Sequence, residues 1–523
     1  MLNSLKGTLE KVGLANAILF SGALISILWS VYFSIVTISM PYQIEFREGT
    51  AQVITKLLLN HSNPFSLENQ PYAMTNYGLG YNLVVLPFAA LFGNTLQVYR
   101  SITFIFILLA AVICFLAVYK TESDFFSSLA CAAFVTIALI GHGGIGAFPS
   151  AMGTFLFLLA VLVPFFRSFD TFSLVLSSLF SLFAFYTKPY FALAFGIVVS
   201  YLFLFVTRKK GLVFSLIFLS MFAASFIIIR KFFLLYFIDT IIGNVSNVHP
   251  SFSYLYAQLE QLFFYFYPLL MLTLFILVFS ILKRNKHKTS NQKGNNIVNL
   301  LGWDNPLIKH SMNYFLYFFI CTFLAFILIL GPHTGNYLNF AYQLMVPSFC
   351  CWLFQNYDPN PKVGILFALL VIFNLFIWES VQLNPQMLEQ RNSKAWAEIY
   401  SYLKPTSNIL NSSVVTAKLV EIGLDPVDSG QTRYFFDIRP YPDNKLIGPS
   451  YDTLKSNGLA YAKSIDDLLE KQNFDLVFTT SEKLPFLHMA ILHQYYTQTK
   501  EIILDMPQTD EQWPIVIWMP INK

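Results

Sequence analysis

Charge is what this chain has least of. Of its 523 residues 12% are Asp, Glu, Lys or Arg, while 55% are hydrophobic and 17% aromatic. Soluble proteins carry about a quarter charged residues. With a mean hydropathy of +0.56 and repeated long apolar runs, the composition excludes a soluble enzyme. It implies an integral membrane protein that crosses the bilayer many times. A formal net charge of +4 is too small for a nucleic-acid surface and fits an asymmetry between loops instead. Cysteine is scarce too. Cys114, Cys131, Cys321, Cys350 and Cys351 all fall in apolar runs, at spacings that match no metal site, and read as small hydrophobes. None follows Cys351, so the C-terminal region needs no disulfide on either side of a membrane. A repeat of fixed period is missing. So are paired Gly/Pro-broken apolar segments in corresponding halves, which would mark a transporter's midplane site. The first apolar run, about 25 residues long, has no clean small-residue cleavage site after it. A cleaved signal has a shorter core of about 7–15 residues, so this run reads as a retained first transmembrane helix.

Apolar runs occupy roughly 13–39, 98–119, 126–141, 148–166, 171–187, 190–207, 211–238, 261–282, 313–331, 336–356 and 363–382. Each can cross about 30 Å of hydrocarbon as a helix, some with help from their flanks. The run 81–93, with Pro87 inside it, would reach only about 20 Å at 1.5 Å per residue, and reads as re-entrant or interfacial. The basic clusters "TRKKG" (207–211) and "KRNKHK" (283–288) belong on the cytoplasmic side. Counting from them puts Lys6, Lys11, Lys120 and Arg167 inside as well, provided 81–93 does not cross. The first loop, 40–80, and the chain after 382 then share the outer side. That layout predicts about eleven spans plus a short non-spanning helix, within a membrane domain over residues 1–390. The first extracytoplasmic loop and its short helix cover 40–97.

Beyond about 383 the composition changes. "SIDDLLEKQ" (464–472) reads as a helix opened by a capping Ser, and "LPFLHMAILHQYY" (484–496) as another. "FDLVFTT" (474–480) and "WPIVIWMP" (513–520) read as strands. A small C-terminal α/β extracytoplasmic domain over 391–523 follows. The polar stretch 283–312 reads as a cytoplasmic loop.

The predicted topology gathers Glu45, Glu48, Arg100, His142, Lys188, Arg230, His249 and His333 near the outer boundary. Charges at a membrane boundary mark function by default. If "FREGTAQVITKLLL" is helical throughout, Glu45 and Glu48 share a face and Arg47 points away. Two such carboxylates raise one another's pKa. They could take a proton from an acceptor, hold a divalent cation or a cationic substrate, or simply solvate a loop. The cations and histidines have plain readings of their own, as snorkelling helix-end anchors and ordinary loop residues.

Several short elements follow one another along the chain: Glu48-Gly49, Asn63-Pro64-Phe65, Pro71-Tyr72, Tyr77, Tyr81, Phe92-Gly93 and Arg100, then Thr187-Lys188-Pro189 and Gly335-Asn336-Tyr337. Their order resembles GT-C glycosyltransferases, the class of the protein O-mannosyltransferases and the lipid A aminoarabinose transferase. Two features depart from the pattern. Arg47 stands where the family usually has Asp or Tyr before the Glu, and "GHGGIGAFPSAMG" (141–153) carries no acid where many relatives have one, leaving His142 as a substitute.

The resemblance implies a sugar donor on a polyprenyl phosphate, an outer-side acceptor that is a glycan, lipid or protein, and transfer with inversion in the inner membrane. It implies Glu48 as general base, with Glu45 as runner-up. Lys188, Arg100, Arg230, His333, Asn336 and Tyr337 would hold the donor phosphate, and Tyr77, Tyr81, His142 and His249 the rest of the substrate. A divalent cation is allowed, although no ligand spacing requires one. Two other classes stay open at this point, a transporter or flippase and an O-antigen polymerase or ligase.

Overall fold

The computed structural model describes residues 13–45, 47–122, 124–143, 145–242, 251–263, 271, 274, 313–332, 341–355, 385–432, 450–480, 488–506 and 511–521. The apolar runs within these ranges are helices. In chain order they include α1 (Leu14–Ser39), α2 (Glu48–Leu59), α3 (Gly80–Phe92), α4 (Leu96–Glu122), α5 (Phe125–Gly143), α6 (Ser150–Phe166) and α7 (Thr171–Phe185). After them come α8 (Leu193–Tyr201), α9 (Arg208–Phe232), α10 (Tyr314–Ala325) and α11 (Val346–Gln355). Inside α1 the buried hydroxyls of Ser26 and Thr37 bond back to the preceding turn, to Gly22 O (2.7 Å) and Phe33 O (2.9 Å), which satisfies these two donors in an apolar setting. Asp170 caps α7 by accepting Ser173 N–H at 2.7 Å. Thr207 caps α9 by accepting Lys210 N–H at 3.2 Å, which is how the basic cluster 207–211 begins a helix.

Among the described residues four segments are long and apolar enough to cross a membrane: Asn16–Ser39, Leu96–Thr121, Pro189–Val206 and Arg208–Phe232. Shorter apolar helices lie at Gly80–Phe92, Phe125–Ile140, Ser150–Phe166, Thr171–Phe185 and Tyr314–Ile329. The runs expected at 363–382 and most of 261–282 lie outside the described residues, as does the loop 283–312. Cys114, Cys131, Cys350 and Cys351 are buried in one core with Ala110, Ala117 and Ala130. Small side chains of this kind let helices approach closely.

Two connections position the first loop. Helix α3 lies against α2, with Asn82 donating to Ala51 O (2.8 Å) and Thr55 Oγ1 (3.0 Å). Its other face exposes Leu83, Phe88, Leu91 and Phe92. Just before α3 the backbone pairs with the end of α7, Gly78 N–H to Thr187 O (2.9 Å) and Gly80 N–H to Tyr186 O (3.0 Å). A Cβ on Gly78 would fall 1.9 Å from Tyr186 O, so only glycine permits this approach.

The C-terminal part comprises α12 (Pro385–Tyr402), β1 (Ile409–Leu410), α13 (Thr416–Glu421), α14 (Ser450–Glu470), β2 (Leu476–Thr479), α15 (Met489–Tyr495), β3 (Tyr496–Met506) and β4 (Glu511–Pro520). The sheet order is β1-β2-β4-β3, with β1 and β2 parallel and the other pairs antiparallel. The expected strands 474–480 and 513–520 are β2 and β4. The expected helix 464–472 is the end of the longer α14. The helix read over 484–496 is shorter at its C-terminus, because β3 begins at Tyr496 and pairs with β4 along its length. The sheet does not sit on a core of its own. Met40, Tyr42 and Ile44 share one cluster with Trp396, Val414, Phe478 and Ile517. Ile54, Phe65 and Met74 share another with Leu410, Ile465 and Trp518.

Candidate functional site

Helix α2 begins at Glu48, with Arg47 as its N-cap residue; Glu45 lies in the turn before it. The single helical face expected for Glu45 and Glu48 is therefore absent, and Arg47 does not point away. The two carboxylates go to different cations.

Glu48 and Arg100 are both fully buried and form an ion pair. Arg100 Nε donates to Glu48 Oε1 (2.9 Å) and Nη2 to Oε2 (2.8 Å). Its remaining N–H groups go to the carbonyls of Thr37 (3.0 Å), Met40 (2.8 Å) and Tyr42 (2.7 Å). A guanidinium has five N–H donors, and all five are engaged. This corrects the expectation for Arg100, which has no donor left for a lipid phosphate. Glu48 also accepts Ile44 N–H on Oε2 (2.8 Å) and Ala147 N–H on Oε1 (3.0 Å). That makes four bonds on a group with about four acceptor sites. The pair ties the end of α1, the start of α2, the start of α4 and the Gly-rich 141–153 stretch into one node. The Gly-rich stretch, which carries no acid, contributes a backbone donor to this node.

Glu45 has more freedom. It accepts Arg47 N–H on Oε2 (2.6 Å) and pairs with the Arg47 Nε on Oε1. Burial raises its pKa above the ordinary carboxylate value, against the opposing pull of Arg47. Lys188, directly after the Gly78–Thr187 pairing, is half-buried. Its Nζ donates to Ser150 Oγ (2.7 Å) and lies 4.7 Å from the Tyr77 ring centroid and 5.7 Å from that of Tyr190. Burial lowers its pKa to about 7; Arg47 pushes the same way and Glu45 opposes. Arg47 itself stacks over Phe148, 5.6 Å from the ring centroid. Glu45, Arg47, Lys188, Ser150 and Tyr77 thus form one cluster in which an acid is held toward its neutral form and a lysine is poised between its two states. Perturbed pairs of this kind concentrate at functional sites.

Other expected residues stand elsewhere. Tyr81 is buried beside Tyr99, its hydroxyl donating to Tyr99 O (3.0 Å) and meeting Thr103 Oγ1 (2.9 Å); it is core and is corrected as a substrate contact. Arg230 is exposed in the last turn of α9 and is not part of this cluster. His142 lies on α5. His249, His333, Asn336 and Tyr337 lie outside the described residues. Among the described residues no group of three or more His, Cys, Asp and Glu could hold a metal ion. Both loop carboxylates already face guanidinium groups, so they fit a divalent cation poorly. Sequence reasoning missed Ser150, within the quoted Gly-rich stretch, and dismissed Arg47. It also missed Asp239, a buried acid just past α9 that accepts from Gln70 Nε2 at 2.9 Å; its only signal was an isolated charge after an apolar run.

The fold is similar to that of a solved GT-C membrane glycosyltransferase. The chain is similar to ArnT from Cupriavidus metallidurans, a lipid A aminoarabinose transferase solved bound to undecaprenyl phosphate, with 11% identity and a TM-score of 0.53, covering 94% of this chain and 97% of that one. An Archaeoglobus fulgidus oligosaccharyltransferase solved in the apo form aligns at 12% identity and a TM-score of 0.44, covering 89% of this chain and 69% of that one. No family model matches the sequence, and no curated protein matches it by sequence.

Proposed function

We propose that this protein transfers a sugar from a polyprenyl-phosphate donor to a hydroxyl or amine acceptor at the extracytoplasmic face of the inner membrane. The observation that carries the reading is the juxtaposition of Glu45, with its raised pKa, and Lys188, with its lowered one, beside a first loop packed on membrane helices. The fold it shares with a protein solved with undecaprenyl phosphate supports the same class of donor.

The acceptor's oxygen or nitrogen attacks the anomeric carbon from the face opposite the phosphate. A new carbon–acceptor bond forms as the carbon–oxygen bond to phosphate breaks, with inversion. The bonding pair leaves with the lipid phosphate, and the acceptor's proton goes to a carboxylate. Glu45 is that base: it has acceptor capacity beyond its bonds to Arg47, and burial raises its pKa, which favours proton uptake. Glu48, with all four acceptor sites filled, holds the loop instead. Protonated Lys188 and Arg47 stabilise charge growing on the leaving phosphate. Ser150 aims the lysine, and Tyr77 lines its other side. Helix α3 screens the site from lipid with its exposed apolar face. The sugar stays unassigned.

The test is turnover. Purified protein in liposomes, given a radiolabelled polyprenyl-phosphate sugar and envelope acceptors, is expected to move label to the acceptor and release polyprenyl phosphate. Solute uptake with no sugar release would overturn this reading in favour of a transporter.

A further inference from the structure

Residues Asp428, Ser429, Gly430, Gln431 and Thr432 form a buried polar strip that leaves the C-terminal part and enters the first loop. The strip is built in. Thr50 donates to Ser429 O (2.7 Å), Asn411 and Thr416 donate to Asp428 O (2.8 and 2.7 Å), and Gly430 N–H bonds Asp428 Oδ1 (2.9 Å). Gly430 has φ 104°, a left-handed turn that favours glycine. Gln431, fully buried, accepts Asn76 N–H on Oε1 at 2.9 Å. Its Nε2 is buried and has no hydrogen-bond partner among the described residues. A buried amide donor that the protein leaves unpaired has room for one more hydrogen-bond partner. Asn76 runs into Tyr77, which lines Lys188, and Gly78 pairs with Thr187 one residue before it. Gln431 therefore stands beside the backbone that frames the lysine.

We propose that Gln431 is a specificity residue whose Nε2 donates to a hydroxyl oxygen of the transferred sugar. The inference rests on the glycosyl-transfer reading. A sugar joined to its phosphate through the anomeric carbon carries its hydroxyls about one ring width from the phosphate. With the phosphate on Lys188, they fall toward the neighbouring wall. A neutral amide donor suits a neutral hydroxyl, whereas a phosphate would call for a cation.

The experiment measures kcat/KM for the native donor and a panel of its monodeoxy analogues, in wild type, Gln431→Leu and Gln431→Glu. Gln431→Glu keeps the acceptor oxygen for Asn76 and removes the donor, so it reports even if Gln431→Leu fails to fold. In wild type one deoxy donor is expected to lose roughly tenfold, because a site built to bond a hydroxyl rejects its absence. Either variant should lower kcat/KM for the native donor by a similar factor and cease to distinguish the two. Binding of sugar-free polyprenyl phosphate should stay within about twofold. A variant that falls equally on every donor, or loosens the sugar-free lipid as much, makes Gln431 a strut between loop and sheet and overturns the assignment. So does wild-type discrimination that survives in Gln431→Glu. Wild-type protein that moves no sugar from any donor overturns the glycosyl-transfer reading and this assignment together.

Discussion

Glu48 and Glu45 are three positions apart, yet neutralising each should have opposite consequences. Glu48→Gln leaves Arg100 buried with its ion pair broken, which costs about 3–5 kcal/mol. Loss of folded, monodisperse protein in detergent is expected before any catalytic effect can be read, and an unchanged Tm would contradict the structural role. Glu45→Gln should fold normally and lose transfer by about 10²–10⁴-fold, the usual worth of a positioned base; single-turnover assays would show it. The pH profile follows from the same two groups. Glu45 must be ionised to accept a proton, so kcat/KM rises as pH climbs through its pKa, which lies above 4.5. Lys188 must be protonated to hold phosphate, so kcat/KM falls as pH climbs through about 7. Bound phosphate stabilises the ammonium, so kcat should hold to higher pH than kcat/KM. Lys188→Arg keeps its charge throughout, and the alkaline fall should disappear from its profile; a fall that persists near neutrality would assign that limb to another group.

Helix α2 meets α13 with almost no clearance. A Cβ on Gly49 would lie 2.6 Å from Thr416 Cβ and 3.0 Å from Ala417 N. Thr416 also bonds Asp428 O, at the head of the buried strip. Gly49→Ala should therefore push α13 outward, destabilise the contact by about 1–3 kcal/mol, and make the chain after 385 easier to cleave in limited proteolysis. Cleavage at the wild-type rate would show that the contact can yield. Glu48-Gly49 was legible in the sequence as a pair of residues that belong together. The reason for the glycine was not, because its neighbour in space is some 370 positions away in the chain.

At the scale of the whole molecule, the first loop and the C-terminal sheet stabilise one another. Met40, Tyr42, Ile44, Ile54, Phe65 and Met74 are all buried in clusters that include residues beyond 395. Gln43 reaches the same region, accepting Ala417 N–H at 2.7 Å and donating to Ser413 O at 3.2 Å. A chain ending at 390 would expose this apolar surface beside the candidate site. It is expected to aggregate or to lose donor turnover even though every residue of the Glu45–Lys188 cluster remains. Full turnover by the truncated chain, measured with labelled donor, would mean that the loop holds its shape alone.

The sequence by itself determined that the chain is built of apolar helices, that one short run at about 80–92 stands apart from the long ones, and that a small sheet lies near the C-terminus. These are properties of local composition and period, which each segment carries within itself. It also pointed to the first loop and to Lys188, through charge placed against an apolar background. Only the tertiary structure decided what each charge does. Which carboxylate a guanidinium saturates, and which one keeps room for a proton, depends on side chains brought together from α1, α2, α4 and the 141–153 stretch. No spacing along the chain encodes that pairing, because the five donors of Arg100 are satisfied by groups that meet only once the helices have packed.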